Sequence, residues 1–170
     1  LIGLVGSEMC IRDRLMGGGK NAAESLKEKL EAKGFEVTLY ESPMDKIQKR
    51  IAAGEKVDFN IYFAGKDTIA DFVGAQDLII TLVDVAGGFQ AVARPGFGMT
   101  KGGGEIPWYV FELPVIVIGC QQPTILADIP QARTYINTYD SAPATLDVLV
   151  DELMAGPEAF KGKDPIDSFL

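Results

Sequence analysis

Side chains that commonly do chemistry are scarce in this chain. It contains no histidine, which removes the usual base of a serine triad and the usual zinc ligand. Of the two cysteines, Cys10 lies in a segment set aside below, so Cys120 stands alone and offers neither a disulfide framework nor a metal-ligand pair. No metal and no cofactor is expected. Gly17-Gly18-Gly19-Lys20-Asn21 invites a phosphate-loop reading, because backbone amides at a helix start attract anions. The Walker pattern also needs a glycine where Arg14 stands and a Ser or Thr where Asn21 stands. That motif fails, which leaves a glycine-rich entry to a helix. Between Ala86 and Gly104 the pattern breaks into glycines around Pro95, too long for an ordinary connection. This is the candidate functional loop, with the cations Arg94 and Lys101 in it and the carboxylate Glu105 at its end.

The elements that must position these residues alternate. Asn21 with Glu24 resembles a capping box, and Ala23, Leu26 and Leu30 share one helical face until Gly34. Phe35, Val37 and Leu39 alternate with polar residues as a half-buried strand. Ser42-Pro43 opens a second helix with Met44, Ile47 and Ile51 at helical spacing before Gly54. Val57, Phe59, Ile61 and Phe63 alternate as a strand, and a short helix follows around Thr68 to Phe72. Leu78 to Val85 and Val115 to Ile118 are apolar, β-branched runs of the kind buried on both faces of a parallel sheet. Pro123 to Ala127 reads as a helix and Thr134 to Thr138 as a strand. Asp140 or Ser141 then caps a last helix with Leu146, Leu149, Val150 and Leu153 inward. Together these predict an α/β fold, a doubly wound, mostly parallel sheet with helices on both faces, a flavodoxin-like sandwich.

The opening residues do not fit that plan. Leu4 to Arg14 are what a common transposase sequencing adapter gives when translated in one frame. The bases CTC GTG GGC TCG GAG give Leu4 to Glu8, and ATG TGT ATA AGA GAC AG give Met9 to Arg14. A signal peptide is the rival reading, but the apolar run Leu1 to Val5 is too short for one and no basic segment precedes it. Residues 1–14 are therefore set aside as artefact, native sequence is expected from near Leu15, and 15–170 are read as one domain.

The net charge of −8 repels phosphate backbones and anionic headgroups, so neither nucleic acid nor membrane is an expected partner. No apolar run approaches the roughly 20 residues of a membrane helix.

From Asp77 onward the chain resembles the C-terminal domain of family 3 glycoside hydrolases, in particular the branch with β-N-acetylhexosaminidases. The resemblance is carried by Asp77-Leu78-Ile79-Ile80, by Ile106-Pro107-Trp108-Tyr109-Val110-Phe111-Glu112-Leu113-Pro114, by the block from Asp128 through Gly156, and by Phe160-Lys161-Gly162-Lys163-Asp164-Pro165-Ile166-Asp167. It covers slightly more than half the chain; Gly17 to Gln76 fits only in its succession of elements. Cys120-Gln121-Gln122-Pro123-Thr124 departs from the family, which usually has a serine early and an aromatic after the proline.

The resemblance implies a missing N-terminal catalytic barrel and a first strand whose place is taken by adapter translation, with Leu1 to Val5 as an accidental substitute. An apolar docking face and a marginally stable isolated chain follow from that. It implies an accessory domain, of a β-N-acetylhexosaminidase or β-glucosidase, that packs on the barrel of its parent chain and shapes the carbohydrate cleft. Glycoside hydrolysis needs two carboxyl groups, and in that branch both lie on the barrel, so no catalytic residue is expected here. Glu105 is the carboxylate to consider as a contributor, since some β-glucosidases of the family use a glutamate of this domain; an exposed loop glutamate is the commoner case. Arg94 and Lys101 are candidate ligand contacts or solvated loop cations. Trp108 and Tyr109 either stack on a sugar or pack the segment running into Pro114. The other reading is a flavodoxin-like binder of a nucleotide or flavin, with its pocket at the carboxyl ends of the strands.

Overall fold

The computed structural model describes residues 8–16, 21–40, 43–57, 74–85, 113–121, 123, 125–128 and 130–163. Among these residues the strands are β1 (Glu8–Met16), β2 (Glu36–Leu39), β3 (Leu78–Val85), β4 (Val115–Cys120) and β5 (Thr134–Asn137). The helices among them are α1 (Asn21–Glu31), α2 (Pro43–Ala52), α3 (Ile125–Asp128) and α4 (Pro143–Ala155), with a 3-10 turn at Pro157–Ala159. The strand order is β2-β1-β3-β4-β5 and every neighbouring pair is parallel. This is the flavodoxin-like order, with its topological switch point between β1 and β3.

Both faces of β3 and β4 are covered, as their composition requires. On one face Leu78, Ile80 and Leu82 of β3 and Ile116, Ile118 and Cys120 of β4 join Leu26 and Leu30 of α1 and Leu146, Leu149, Val150 and Leu153 of α4 in one apolar cluster. Burying each such leucine contributes about 1.5–3 kcal/mol. The alternate residues Ile79, Thr81, Val83 and Val117 are also fully buried, which places a second layer behind the sheet.

One local signal acts as the sequence predicts, and a second does not. Gly34 takes φ 94°, the left-handed conformation that lets α1 stop and turn into β2. The second helix buries Ile47 but leaves Ile51 52% exposed, against the expectation that both face the core. The spacing of four fits a helical stripe, yet Ile51 is in the last turn, followed by Gly54 in a left-handed turn.

The cap of the last helix also differs. The residue before α4 is Ala142, with no side-chain cap bond. Asp140 accepts the Ala142 N–H at 2.8 Å, two residues ahead of the cap position, while Ser141 is engaged elsewhere.

At the sheet centre, the strand is Glu8–Met16, most of it the segment read as adapter; Leu1 to Val5 lie outside the described residues. It runs beside β3 from Met9↔Leu78 to Met16↔Val85 and beside β2 from Glu8↔Glu36 to Ile11↔Leu39. Ile11 is 1% exposed, and its carbonyl accepts the Tyr40 N–H at 2.8 Å. The strand foreseen over Val57 to Phe63 falls almost wholly outside the described residues, as does the helix over Thr68 to Phe72.

Candidate functional site

In open parallel sheets, ligands meet the carboxyl ends of the strands, because that is where the connecting loops diverge. Three strands deliver polar side chains to that edge. From β3 comes Asp84, the carboxylate in an otherwise nearly apolar run. It is 3% exposed, a burial that is tolerable only with hydrogen-bond donors on its oxygens. Both oxygens have one: the Gln121 Nε2 group donates to Oδ1, and the Ser141 hydroxyl donates to Oδ2 at 2.8 Å. Gln121 directly follows β4 and Ser141 lies just ahead of α4, so one carboxylate ties together three separate segments.

The turns that present these donors are conformationally costly. Gln121 has φ 72° and Tyr139 φ 61°, left-handed values that cost a non-glycine residue about 1–2 kcal/mol. Between them Thr138 donates its hydroxyl to the Asp140 carbonyl at 2.7 Å, with the Cys120 sulfur 3.4 Å away. The Thr138 N–H donates to the Gly119 carbonyl at 2.9 Å. Strain of this kind persists where the surroundings over-determine the backbone, and here hydrogen bonds from three segments do so.

On the other face of the same edge, the Tyr135 hydroxyl donates to Asn137 Oδ1 at 2.6 Å. Room for that pair depends on Gly119, where an added Cβ would lie 2.4 Å from the Tyr135 hydroxyl and 2.9 Å from Asn137 Oδ1. Tyr139 stands 40% exposed at the rim. The Asp140 carboxyl is held below the ordinary carboxylate range, first by the side-chain hydrogen bond of Thr145 and then by the Ala142 N–H, against a small opposing effect of desolvation.

In sequence, the segment expected to carry function begins immediately after Val85, the last residue of β3. Arg94, Lys101 and Glu105 lie outside the described residues, as do Trp108, Tyr109 and the glycine-rich turn Gly17 to Lys20. Sequence reasoning assigns none of Asp84, Gln121 and Ser141 to a site, and reads Ser141 only as a candidate helix cap. A signal for Asp84 was there: it is the lone carboxylate in a strand whose residues otherwise suit a doubly covered position.

Among the described residues no group of three or more His, Cys, Asp or Glu could hold a metal ion, and Cys120 is a buried free thiol. Among them, too, no helix is long and apolar enough to cross a membrane.

No family model matches the chain. A β-N-acetylglucosaminidase/β-glucosidase from Cellulomonas fimi is 39% identical over 100 residues, which span 58% of this chain and 17% of that protein. A β-glucoside phosphorylase solved with 2FGlc matches at a TM-score of 0.64 and 26% identity, over 97% of this chain and 26% of that one. A fungal multi-domain family 3 β-N-acetylglucosaminidase matches at a TM-score of 0.50 and 14% identity, over 89% of this chain and 14% of its own, a likeness of fold alone. The chain thus spans under a fifth of the length of the curated relative it matches.

Proposed function

We propose that the chain is a C-terminal α/β domain of glycoside hydrolase family 3 and acts as an accessory domain, packing on a catalytic barrel and shaping the carbohydrate cleft without supplying the catalytic carboxylates; its similarity to a β-N-acetylglucosaminidase/β-glucosidase and to a β-glucoside phosphorylase supports the family. The observation that carries this reading is one of proportion. Nearly the whole chain, 97%, superposes on 26% of the phosphorylase chain, as a domain does on its place in a larger enzyme.

The strand-end rim is suited to such a role. Asp84 clamps the end of β3 to the turns after β4 and before α4, so the connection that follows Val85 starts from a fixed root. That connection carries Arg94, Lys101 and Glu105, which we place toward the sugar in the assembled enzyme. A fixed root matters because a cleft contact misplaced by about 1 Å can cost about a hundredfold in rate. The nucleotide- or flavin-binding reading gains no support from the relatives, which are named for glycosidase and phosphorylase activities.

The test is hydrolysis of aryl β-N-acetylglucosaminide and aryl β-glucoside by the purified chain and by the same domain fused to a complete family 3 barrel. Activity in the fusion and none in the chain alone is expected. Turnover by the chain alone would place the catalytic carboxylates in these residues, beginning with Glu105, and would overturn the assignment.

The name of the phosphorylase relative favours a second reading of the parent's acceptor. In either case the bond from the anomeric carbon to the leaving oxygen breaks, and that oxygen takes a proton. The new bond comes from water in a hydrolase and from a phosphate oxygen in a phosphorylase. Inorganic phosphate added to the fusion assay separates them: sugar 1-phosphate marks the phosphorylase, free sugar the hydrolase.

A further inference from the structure

The strand at the centre of the sheet is chemically mismatched to its neighbours. On its β3 side the register sets Arg12 beside Thr81, Asp13 beside Leu82 and Arg14 beside Val83, and those three partners are each fully buried. A central parallel strand covered on both faces normally reads as a continuous apolar run, as β3 and β4 do here. Glu8–Met16 instead sets three consecutive charged residue types, Arg12, Asp13 and Arg14, at register positions where that pattern calls for apolar ones. The Thr81 hydroxyl is itself buried with no hydrogen-bond partner, so the neighbouring strand does not answer even the polar atom that β3 presents.

The backbone, by contrast, fits well. β1 pairs with β2 and β3 in continuous parallel registers, which leaves side-chain chemistry as the defect. We propose that the slot between β2 and β3 is a strand-acceptor site, whose preferred occupant is an extended apolar, β-branched peptide segment that enters as a parallel strand and displaces Glu8–Met16. Main-chain ladder bonds would supply affinity, and the apolar layers on both faces would supply selectivity, as in other strand-addition complexes. This inference is independent of the accessory-domain reading, since it concerns which sequence the sheet accepts and not what the parent enzyme does.

The probe is a synthetic peptide with the sequence of Glu8–Met16 carrying E8V, R12V, D13V and R14V, with lysines at its ends for solubility; the unaltered β1 peptide is the control. Added in excess to the full chain, the valine peptide is expected to raise Tm by about 5 °C or more, because a ligand that binds only the folded state stabilises it in proportion to the logarithm of its concentration over Kd. The control peptide is expected to leave Tm unchanged. Hydrogen exchange then locates the strand: amides of residues 8–16 lose protection while those of Leu78 to Leu82 keep theirs. A full chain carrying R12V, D13V and R14V should have a raised Tm of its own and no longer respond to the peptide. The proposal is overturned if the peptide leaves Tm unchanged, if both peptides act alike, or if residues 8–16 stay protected while an edge strand, β2 or β5, gains protection. The titration of the unaltered chain decides the matter even where the triple variant does not fold.

Discussion

Ser141, just ahead of α4, donates a 2.8 Å hydrogen bond to Oδ2 of Asp84 at the end of β3, across 57 residues of sequence. With Gln121 on the other oxygen, it makes a buried carboxylate the junction of three segments.

Removing that donor leaves a buried carboxylate oxygen unanswered, a loss of about 1–3 kcal/mol. Ser141→Ala is therefore expected to lower the free energy of unfolding by that amount, read as a lower urea midpoint with the m-value unchanged, since the exposed area on unfolding stays the same. Ser141→Thr, which keeps a hydroxyl, should recover much of it. A Ser141→Ala chain as stable as the parent would show that the clamp contributes nothing.

Gly119 and Tyr135 form a second pair that can be tested as a cycle. A Cβ at Gly119 would meet the Tyr135 hydroxyl at 2.4 Å, so Gly119→Ala is expected to cost about 1–3 kcal/mol by overpacking. Tyr135→Phe removes that hydroxyl and its bond to Asn137. In the double variant much of the Gly119→Ala cost should vanish, because the closest obstruction is gone. Simple additivity in denaturant unfolding would show that the two sites do not touch.

These two pairs mark the boundary of what the residues declared in advance. Periodicity exposed the core face of α1 at Leu26 and Leu30, the whole of β3, and the inward stripe of α4, because burial imposes a repeat on local sequence. The Asp84–Ser141 contact imposes no repeat, and only the fold brings its members together. Ile51 was misjudged because a helical spacing does not say where the core ends. For β1 the resemblance marks the place of a first strand as filled by adapter translation, but its Glu8, Arg12, Asp13 and Arg14 argue against a central strand, and the backbone takes that place regardless.

The Asp140 carboxyl offers a prediction about pH. Its pKa is depressed below the ordinary 3.8, first by Thr145 and then by the Ala142 N–H. A carboxylate depressed in the folded state adds stability above its unfolded pKa, and that stability is lost as pH falls through the folded value. Asp140→Asn should therefore flatten the acid limb of stability below about pH 4, leaving the shape above pH 5 unchanged. An acid limb identical in both chains would assign the loss to other carboxylates.

Across the seam of α1 and α4, Lys29 pairs with Asp147 and Lys33 with Asp151, the latter at 2.8 Å. The two aspartates are 60% and 69% exposed, so solvent screens both pairs and each is worth about 0–1 kcal/mol. Leu149, 3% exposed on the same helix, should cost about 2–5 kcal/mol when cut to alanine. Thermal scans of Asp151→Ala and Leu149→Ala at low and high salt check the contrast: only the first should depend on salt, and it should shift Tm far less than the second.

Thr81 supplies a prediction of opposite sign. It lies fully buried in the middle of β3, and its Oγ1 has no hydrogen-bond partner, so folding strips water from a hydroxyl and returns nothing, at about 1–3 kcal/mol. Valine has nearly the same shape and no such group. Thr81→Val is thus expected to stabilise the chain by about 1 kcal/mol, a rise of roughly 2–4 °C in Tm for a chain of this size. Thr81→Ser keeps the hydroxyl and removes a buried methyl, which should destabilise by about 1 kcal/mol. The two substitutions must move Tm in opposite directions if the hydroxyl is unanswered. Were valine instead destabilising, Thr81 would have a partner across the strand from β1, and the mismatch at the centre of the sheet would be smaller than the register of Arg12 against Thr81 indicates.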